Sequence, residues 1–150
     1  VKGLESFVPV SGRFELCSLP GGRGTMVNDA CNANPESMKA ALHAVHTMKS
    51  PQKIAVLGDM LELGTKQYFW HRHVGRELIK TRSISQLVLV GQLARAIGPV
   101  APATMDVSYV DNWQQAHQQL GDIMAPKDNL VLVKGSRGVG LNNLVEKLVS

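Results

Sequence analysis

Short polar side chains crowd one turn of the sequence, NDACNANP, where an apolar run ends and a helical pattern begins. Asn34 followed by Pro35 is typical of a helix start, because Asn is a preferred N-cap and Pro at the first helical position lacks an N–H that has no helical partner. The cap does not explain the roles of Asn28, Asp29 and Asn32. They are either ordinary loop polarity or a binding site, in which Asp29 accepts hydrogen bonds from a ribose diol beside the positive end of the helix dipole.

A second candidate site is the glycine-rich turn KGSRGVG, which follows another apolar run. It brings together Lys134, Ser136 and Arg137. The Arg137 guanidinium can hold a carboxylate through two hydrogen bonds, and Lys134 can act as a point charge; the alternative is a solvated basic turn. The phosphate loop G-x-x-x-x-G-K-[ST] occurs nowhere in the chain, so we expect the chain to lack the usual means of holding a triphosphate by itself.

Acidic and histidine side chains give weaker signals. Asp59 and Glu62 stand close together in GDMLELG and could serve acid–base chemistry, although such loop carboxylates more often cap helices or bind amines. The five histidines include no H-E-x-x-H motif, and His71 and His73 are two residues apart, which on a helix places them on different faces. The sequence therefore predicts no metal site within this chain.

The candidate residues need elements to position them, and the hydrophobic pattern predicts those elements. Three apolar runs, KIAVLGD, QLVLVG and NLVLVK, do not alternate with polar residues, which favours parallel strands buried on both faces. A weaker strand is predicted at Val107–Val110, and GRFELCSL and GTMVND, separated by PGGR, predict an antiparallel hairpin. Apolar residues at helical spacing predict helices at Pro35–Lys49, Lys66–Thr81, Asn112–Met124 and Leu141–Val149.

This alternation predicts the α/β class. We expect a three-layer Rossmann-like domain, with a mostly parallel sheet of about six strands, an antiparallel N-terminal strand and helices on both faces. No repeat or low-complexity linker divides the 150 residues, so residues 1–150 are predicted to be a single domain. Ligands of such sheets bind beyond the carboxyl ends of the strands, where the turns NDACNANP, GDMLELG, GQLA and KGSRGVG fall.

Composition narrows the classes of partner. The net charge is +4, but aromatic residues make up only 5% and do not cluster beside basic side chains, which argues against nucleic acid; a phosphate-bearing small molecule accounts for the basic bias equally well. No apolar stretch is long enough for a membrane span. Two cysteines without a C-x-x-C motif and the absence of a leader predict a cytoplasmic protein. The first residue, Val1, suggests an excised piece of a longer chain.

The motifs together resemble one family. SGRFE, VNDACNANPESMKAAL, VLGDMLELG with HRHVG beyond it, and LVKGSRGVGL occur in the order and spacing of a Mur ligase C-terminal domain, across essentially the whole chain. The resemblance implies a three-domain, ATP-dependent and ADP-forming amide ligase of peptidoglycan synthesis. Its N-terminal domain, which holds the UDP-sugar peptide, and its central domain, with the phosphate loop and Mg²⁺ sites, are absent from this chain, so the chain alone is expected to be inactive.

The resemblance also implies a reaction. Within the family, the signatures are most similar to those of the member that joins D-alanyl-D-alanine to UDP-N-acetylmuramoyl-tripeptide. ATP phosphorylates the terminal carboxylate of the tripeptide, and the amine of the dipeptide attacks the acyl phosphate. The implied cofactors are ATP and Mg²⁺, and the implied partners are the two substrates and the protein's own N-terminal and central domains.

Roles carry over to residues that match the family motifs. Arg13 is implied to be the catalytic arginine that reaches the nucleotide phosphates on domain closure. Asp29 matches the aspartate that holds the ribose, and Asn32 and Asn34 match the asparagines that line the same side. The residues implied to face the incoming dipeptide are Asp59, Lys134, Ser136 and Arg137.

One position departs from the family, and rival interpretations stay open. Cys31 stands where the family usually has a tyrosine, so the contact made by that ring is in doubt. The rivals are another Mur or folylpolyglutamate-type ligase and a stand-alone nucleotide-binding α/β domain. The diaminopimelate-adding enzyme carries an Asp-Asn-Pro-Arg signature, which this sequence lacks. An upstream coding segment with a phosphate loop would favour the ligase.

Overall fold

A six-stranded sheet organises the computed structural model, which describes residues 11–150; the first ten residues of the predicted 1–150 domain lie outside that range. The strand order is β1-β2-β6-β3-β4-β5. β1 and β2 pair antiparallel, and all other neighbours in the sheet pair parallel. The strands are β1 Glu15–Leu19, β2 Gly24–Asp29, β3 Gln52–Gly58, β4 Gln86–Val90, β5 Asp106–Val110 and β6 Asn129–Lys134. The predicted fold class is confirmed.

Within residues 11–150, four α-helices flank the sheet: α1 Pro35–Thr47, α2 Gln67–Glu77, α3 Trp113–Ile123 and α4 Leu141–Val149. The helix predicted to run to Thr81 changes to a 3₁₀ turn at Leu78–Lys80. A further 3₁₀ segment at Ala94–Val100, which the sequence pattern did not predict, follows β4. In the described part of the chain the longest helix has 13 residues, and no helix there is long and apolar enough to cross a membrane.

Two apolar layers enclose the sheet, one on each face. α1 and α2 cover one face, where Leu57 of β3 and Leu132 of β6 belong to the buried layer. α3 and α4 cover the other face, where Val56 and Val133 are buried. Neighbouring residues of one strand therefore enter opposite layers, which explains why the apolar runs show no polar alternation.

The carboxyl ends of the central strands meet at one edge, as parallel pairing requires. Asp29 at the end of β2 lies opposite Lys134 at the end of β6, and Gly58 of β3 lies opposite Val90 of β4. Gly91, which follows β4, has φ +107°, and a Cβ there would lie 2.5 Å from Asp59 Oδ1. Only glycine allows this close approach of the two loops.

Candidate functional site

A cavity of about 530 Å³ opens beside the carboxyl end of β2, on the α1 face of the sheet. It contains all four residues predicted to meet the nucleotide. Its lining consists of Arg13, Phe14, Asp29, Asn32, Asn34, Ser37, Ala40, Ala41, Ala44 and Lys134. One wall is polar and charged, and another is a strip of alanines on α1. The cavity therefore suits a ligand with both a polar and an apolar part.

The Asp29 carboxylate is held from two sides. Its Oδ1 accepts a hydrogen bond from the Phe14 backbone N–H at 3.0 Å, and its Oδ2 accepts one from Lys134 Nζ at 2.9 Å. The Asp29 side chain keeps 14% of its exposure. Each carboxylate oxygen can accept more than one hydrogen bond. A fixed carboxylate at the cavity wall therefore retains acceptor capacity for hydroxyl groups of a ligand.

Lys134 lies on the side of the first cavity, beside Asp29. The sequence predicts that it faces the dipeptide, and that role stays a prediction. In the structure its buried ammonium donates to Asp29 Oδ2 and to the Asn32 carbonyl, the latter at 3.0 Å. Alternation along the strands explains this placement. Val27 and Leu132, each two residues before the end of its strand, belong to the α1-side layer, so Asp29 and Lys134 face the same side.

The turn that presents Arg13 is strained and braced. Phe14 has φ +51°, an outlier for a bulky residue, and such strain costs about 1–3 kcal/mol. Its N–H is the one that bonds Asp29. Glu15 Oε1 accepts from the Gly12 N–H at 3.3 Å and from Asn28 Nδ2 at 3.1 Å. The exposed Arg13 side chain thus stands on a fixed backbone. Phe14 was missed at the sequence level because its residue type gives no sign of a positive φ.

Asn34 caps α1, as the sequence predicts. Its Oδ1 accepts from the Ser37 N–H at 2.9 Å, and Ser37 Oγ accepts from the Asn34 N–H at 3.0 Å, which completes a capping box. Asn28 also has a structural task, because its Oδ1 accepts from the Ala30 N–H at 3.3 Å while its amide holds Glu15. The polar crowding of NDACNANP therefore includes capping, loop bracing and cavity lining.

Ser136 and Asp59 connect loops at the carboxyl edge. Ser136 Oγ accepts from the Leu61 N–H at 2.9 Å and donates to the Ala33 carbonyl at 3.4 Å, and the Ser136 N–H donates to the Asp59 carbonyl at 3.0 Å. Asp59 Oδ1 accepts from the Ala94 N–H at 2.7 Å. Neither Ser136 nor Asp59 lines the first cavity or the second cavity, which is described below. Their observed contacts are with the protein backbone.

His71 on α2 is a positioning residue that sequence reasoning missed. It is fully buried; its Nε2 accepts from the Met60 N–H at 2.9 Å, and Nδ1 lies 2.6 Å from the Gln67 carbonyl. This pairing requires the neutral ring with the proton on Nδ1. Burial lowers the pKa of His71, against the opposing effects of the Gln67 carbonyl and the Asp59 charge. His71 thus fixes the loop that carries Asp59.

Arg137 belongs to a second cavity, of about 500 Å³, on the α4 face of the same edge. Glu15, Cys31 and Glu146 are among its other lining residues. The exposed Arg137 guanidinium donates from Nη2 to Cys31 Sγ at 3.3 Å. Hydrogen bonds from Arg137 and from Arg13 lower the pKa of the Cys31 thiol. The structure therefore separates the four residues predicted to face the dipeptide. Lys134 lines the first cavity, Arg137 lines the second, and the other two bond to loop backbone.

The described residues contain no group of three or more His, Cys, Asp or Glu side chains that could hold a metal ion. The Mg²⁺ expected from the resemblance was assigned to a domain outside this chain, and that assignment stays a prediction.

The structure is an α/β domain with a cavity at the carboxyl edge of its parallel sheet, and comparison with known proteins supplies the family. Residues 12–137 match the family described as Mur ligase, glutamate ligase domain. The chain belongs to this family.

Named proteins and solved structures that resemble this chain belong to the same family. The chain is 32% identical to the UDP-N-acetylmuramoyl-tripeptide--D-alanyl-D-alanine ligase of Bacillus subtilis, over 99% of this chain and 33% of the relative. Among solved structures, MurF of Acinetobacter baumannii superposes with a TM-score of 0.85 at 28% identity, covering 99% of this chain and 32% of that one. MurF of Thermotoga maritima, solved with ADP, gives 0.79 at 25% identity, covering 95% and 31%. The chain thus spans about a third of the length of these relatives.

Proposed function

We propose that this chain is the C-terminal domain of an ATP-dependent, ADP-forming ligase that joins D-alanyl-D-alanine to UDP-N-acetylmuramoyl-tripeptide through an acyl phosphate. Similarity over nearly the whole chain to ligases of that name supports the proposal. The same similarity covers only a third of those enzymes, so the UDP-sugar peptide site, the phosphate loop and the Mg²⁺ sites are assigned to the remaining two domains.

The observation that carries the nucleotide role is the cavity with Asp29 fixed in its wall. A carboxylate held by Phe14 and Lys134 is preorganised to accept hydrogen bonds from a ribose diol without reorienting. Asn32 and Asn34 border the same space, and the alanine strip of α1 offers an apolar surface. The ADP bound by the Thermotoga maritima relative is consistent with this use.

Arg13 is proposed to act on the phosphates. It is exposed at the rim of the cavity, on the braced turn described above. When the domain closes on its partner domain, this guanidinium can stabilise the negative charge that develops as the γ-phosphoryl group moves to the tripeptide carboxylate. The proposed share of this chain in catalysis is therefore electrostatic.

The dipeptide is proposed to approach the Arg137 side of the edge. An exposed arginine can hold the dipeptide carboxylate through two hydrogen bonds. Asp59 and Ser136 support that region through the loops they connect, rather than through side chains that line the cavities. The two free thiols of the described residues suit a reducing compartment, and we place the reaction in the cytoplasm.

The test is ADP release by the intact protein that carries this chain, in the presence of UDP-N-acetylmuramoyl-tripeptide. We expect release that depends on D-alanyl-D-alanine and yields the amide product. D-glutamate and diaminopimelate serve as alternative acceptors. Release that depends on one of these instead, or no release with any of them, contradicts the proposal.

The role of Arg13 is tested in the same assay. Arg13→Ala should lower kcat more than it raises the KM for the dipeptide, because the proposed contact forms in the transition state of phosphoryl transfer. A change confined to the dipeptide KM would reassign Arg13 to substrate binding.

A further inference from the structure

Lys134 is a charged side chain with only 2% of its surface exposed. Its ammonium bonds Asp29 Oδ2 at 2.9 Å and the Asn32 carbonyl at 3.0 Å. A buried ammonium loses its hydration and needs such partners to replace water. Both partners belong to the turn that lines the first cavity, so the buried charge is tied to the nucleotide side of the edge.

The sheet itself builds this ion pair. Asp29 and Lys134 are register partners on the neighbouring parallel strands β2 and β6. They face the same side of the sheet, as the alternation along both strands requires. With the Phe14 N–H on Oδ1 and Lys134 on Oδ2, the Asp29 carboxylate is constrained from two directions. The Asn32 carbonyl is anchored by the same ammonium.

We propose that Lys134 is a positioning residue for the nucleotide, which fixes the Asp29 carboxylate and the Asn32 backbone, rather than a residue that contacts the dipeptide. This inference rests on the proposed function, in which Asp29 binds the ribose. Removal of the ammonium frees the carboxylate to rotate and the turn to shift. ATP binding should suffer, and dipeptide binding on the other face of the sheet should not.

The experiment compares Lys134→Met and Lys134→Arg in the intact ligase, with the ATP Kd and the dipeptide KM measured separately. Lys134→Met should weaken ATP binding by about tenfold or more, as misplacement of a binding group does. The dipeptide KM should stay within about twofold, and Lys134→Arg, which keeps the charge, should recover part of the ATP affinity. A raised dipeptide KM with unchanged ATP affinity overturns the inference.

Lys53 provides a matched control. It is 5% exposed, and its ammonium bonds the His46 carbonyl at 2.8 Å and Ser83 Oγ at 3.2 Å, near the amino end of β3. Lys53→Met removes a buried lysine from the same sheet but at the opposite edge. Its ATP Kd should stay within about twofold of the wild type even where its melting temperature falls. Equal losses of ATP affinity in Lys53→Met and Lys134→Met contradict a positioning role.

Lys134→Met leaves the mostly buried Asp29 carboxylate without its counter-ion, which can unfold the variant. The double variant Asp29→Asn with Lys134→Met removes both charges and keeps the test possible. Because Lys134 acts largely through Asp29, the double variant should lose less ATP affinity than the product of the two single losses. Additive losses overturn the inference. Unchanged ATP affinity in Asp29→Asn overturns the ribose contact itself, and the inference with it.

Discussion

At the residue scale, the polar side chains of the strand-to-helix turn divide their tasks. Asn34 completes a capping box with Ser37, Asn28 braces Glu15, and Asp29 faces the cavity between two hydrogen-bond donors. The sequence predicted the cap because Asn before Pro is a local signal that needs no tertiary information. It left the tasks of Asn28 and Asp29 open because their partners are distant in the chain.

Replacement of the N-cap residue of α1 tests how much the cap contributes to stability. Asn34→Ala should lower the free energy of unfolding of this chain by about 0.5–2 kcal/mol, the usual contribution of an N-cap. Asn112→Ala is the matched control, since Asn112 caps α3 by accepting the Gln115 N–H at 2.9 Å outside the first cavity. Thermal or denaturant unfolding gives the free energy of unfolding of both variants. An Asn34→Ala chain as stable as the wild type contradicts the capping role.

The two cysteines should differ in reactivity. Hydrogen bonds from Arg137 and Arg13 lower the pKa of Cys31, whereas burial and the Glu15 charge raise the pKa of Cys17. At neutral pH, iodoacetamide should therefore modify Cys31 faster, by roughly an order of magnitude, because the thiolate is the nucleophile. Mass spectrometry of timed samples gives both rates in one chain. Arg137→Met should slow the modification of Cys31 but not that of Cys17. Equal modification rates of the two cysteines in the wild type would contradict the lowered pKa of Cys31.

At the scale of elements, the strands and helices could be predicted because both faces of the sheet are covered. Buried parallel strands such as β3 and β6 are continuous apolar runs, and helices such as α1 and α4 carry a regular apolar stripe. The 3₁₀ segment Ala94–Val100 was not predicted, since it contains Gly98 and Pro99 and lacks a helical stripe.

The grouping of side chains at the carboxyl edge was harder to predict. Motif order alone grouped Lys134 with Ser136 and Arg137 because they share one turn. The missing signal was the period of two along β2 and β6, which places Lys134 and Asp29 on one face. Arg137 follows in the turn after β6 and lines the other cavity. Strand order, which links β2 to β6, cannot be read from a single sequence.

The contact between α2 and the loop after β3 should make stability depend on pH. His71 must be neutral to accept the Met60 N–H, and burial holds its folded pKa below the usual 6.5. The unfolded chain therefore takes up the proton first, and stability should be complete above about pH 6.5 and fall as the pH drops toward the folded pKa.

Thermal unfolding of this chain between about pH 5 and 8 tests this dependence. His71→Gln keeps an acceptor for Met60 without a titratable ring, so its melting temperature should fall less below pH 6.5 than that of the wild type. His117→Gln, on α3 across the sheet, serves as the control and should follow the wild type. Identical slopes for the wild type and His71→Gln contradict the role of His71.

At the scale of the whole molecule, the carboxyl edge presents two cavities on opposite faces of one sheet. The cavity on the α1 side contains Asp29 and Lys134, and the cavity on the α4 side contains Arg137. In the proposed ligase, one side meets the nucleotide and the other the incoming dipeptide. Ser136 and Asp59 brace the loops of the same edge, and in the proposed ligase closure of the domain would bring both substrates to the reaction together.

The most direct test of the proposed nucleotide site fills the first cavity without changing a charged group. Ala44 lines the cavity on α1, and Ala44→Leu keeps helix propensity while adding volume there. Lys39→Leu, an exposed change on the same helix outside the cavity lining, is the control. The measurement is the ADP Kd of the intact protein by calorimetry. We predict that ADP binding weakens roughly tenfold or more in Ala44→Leu, because the larger side chain occupies space that the ligand needs. ADP affinity should change by no more than about twofold in Lys39→Leu. Equal ADP affinity in both variants and the wild type would contradict the placement of the nucleotide in this cavity.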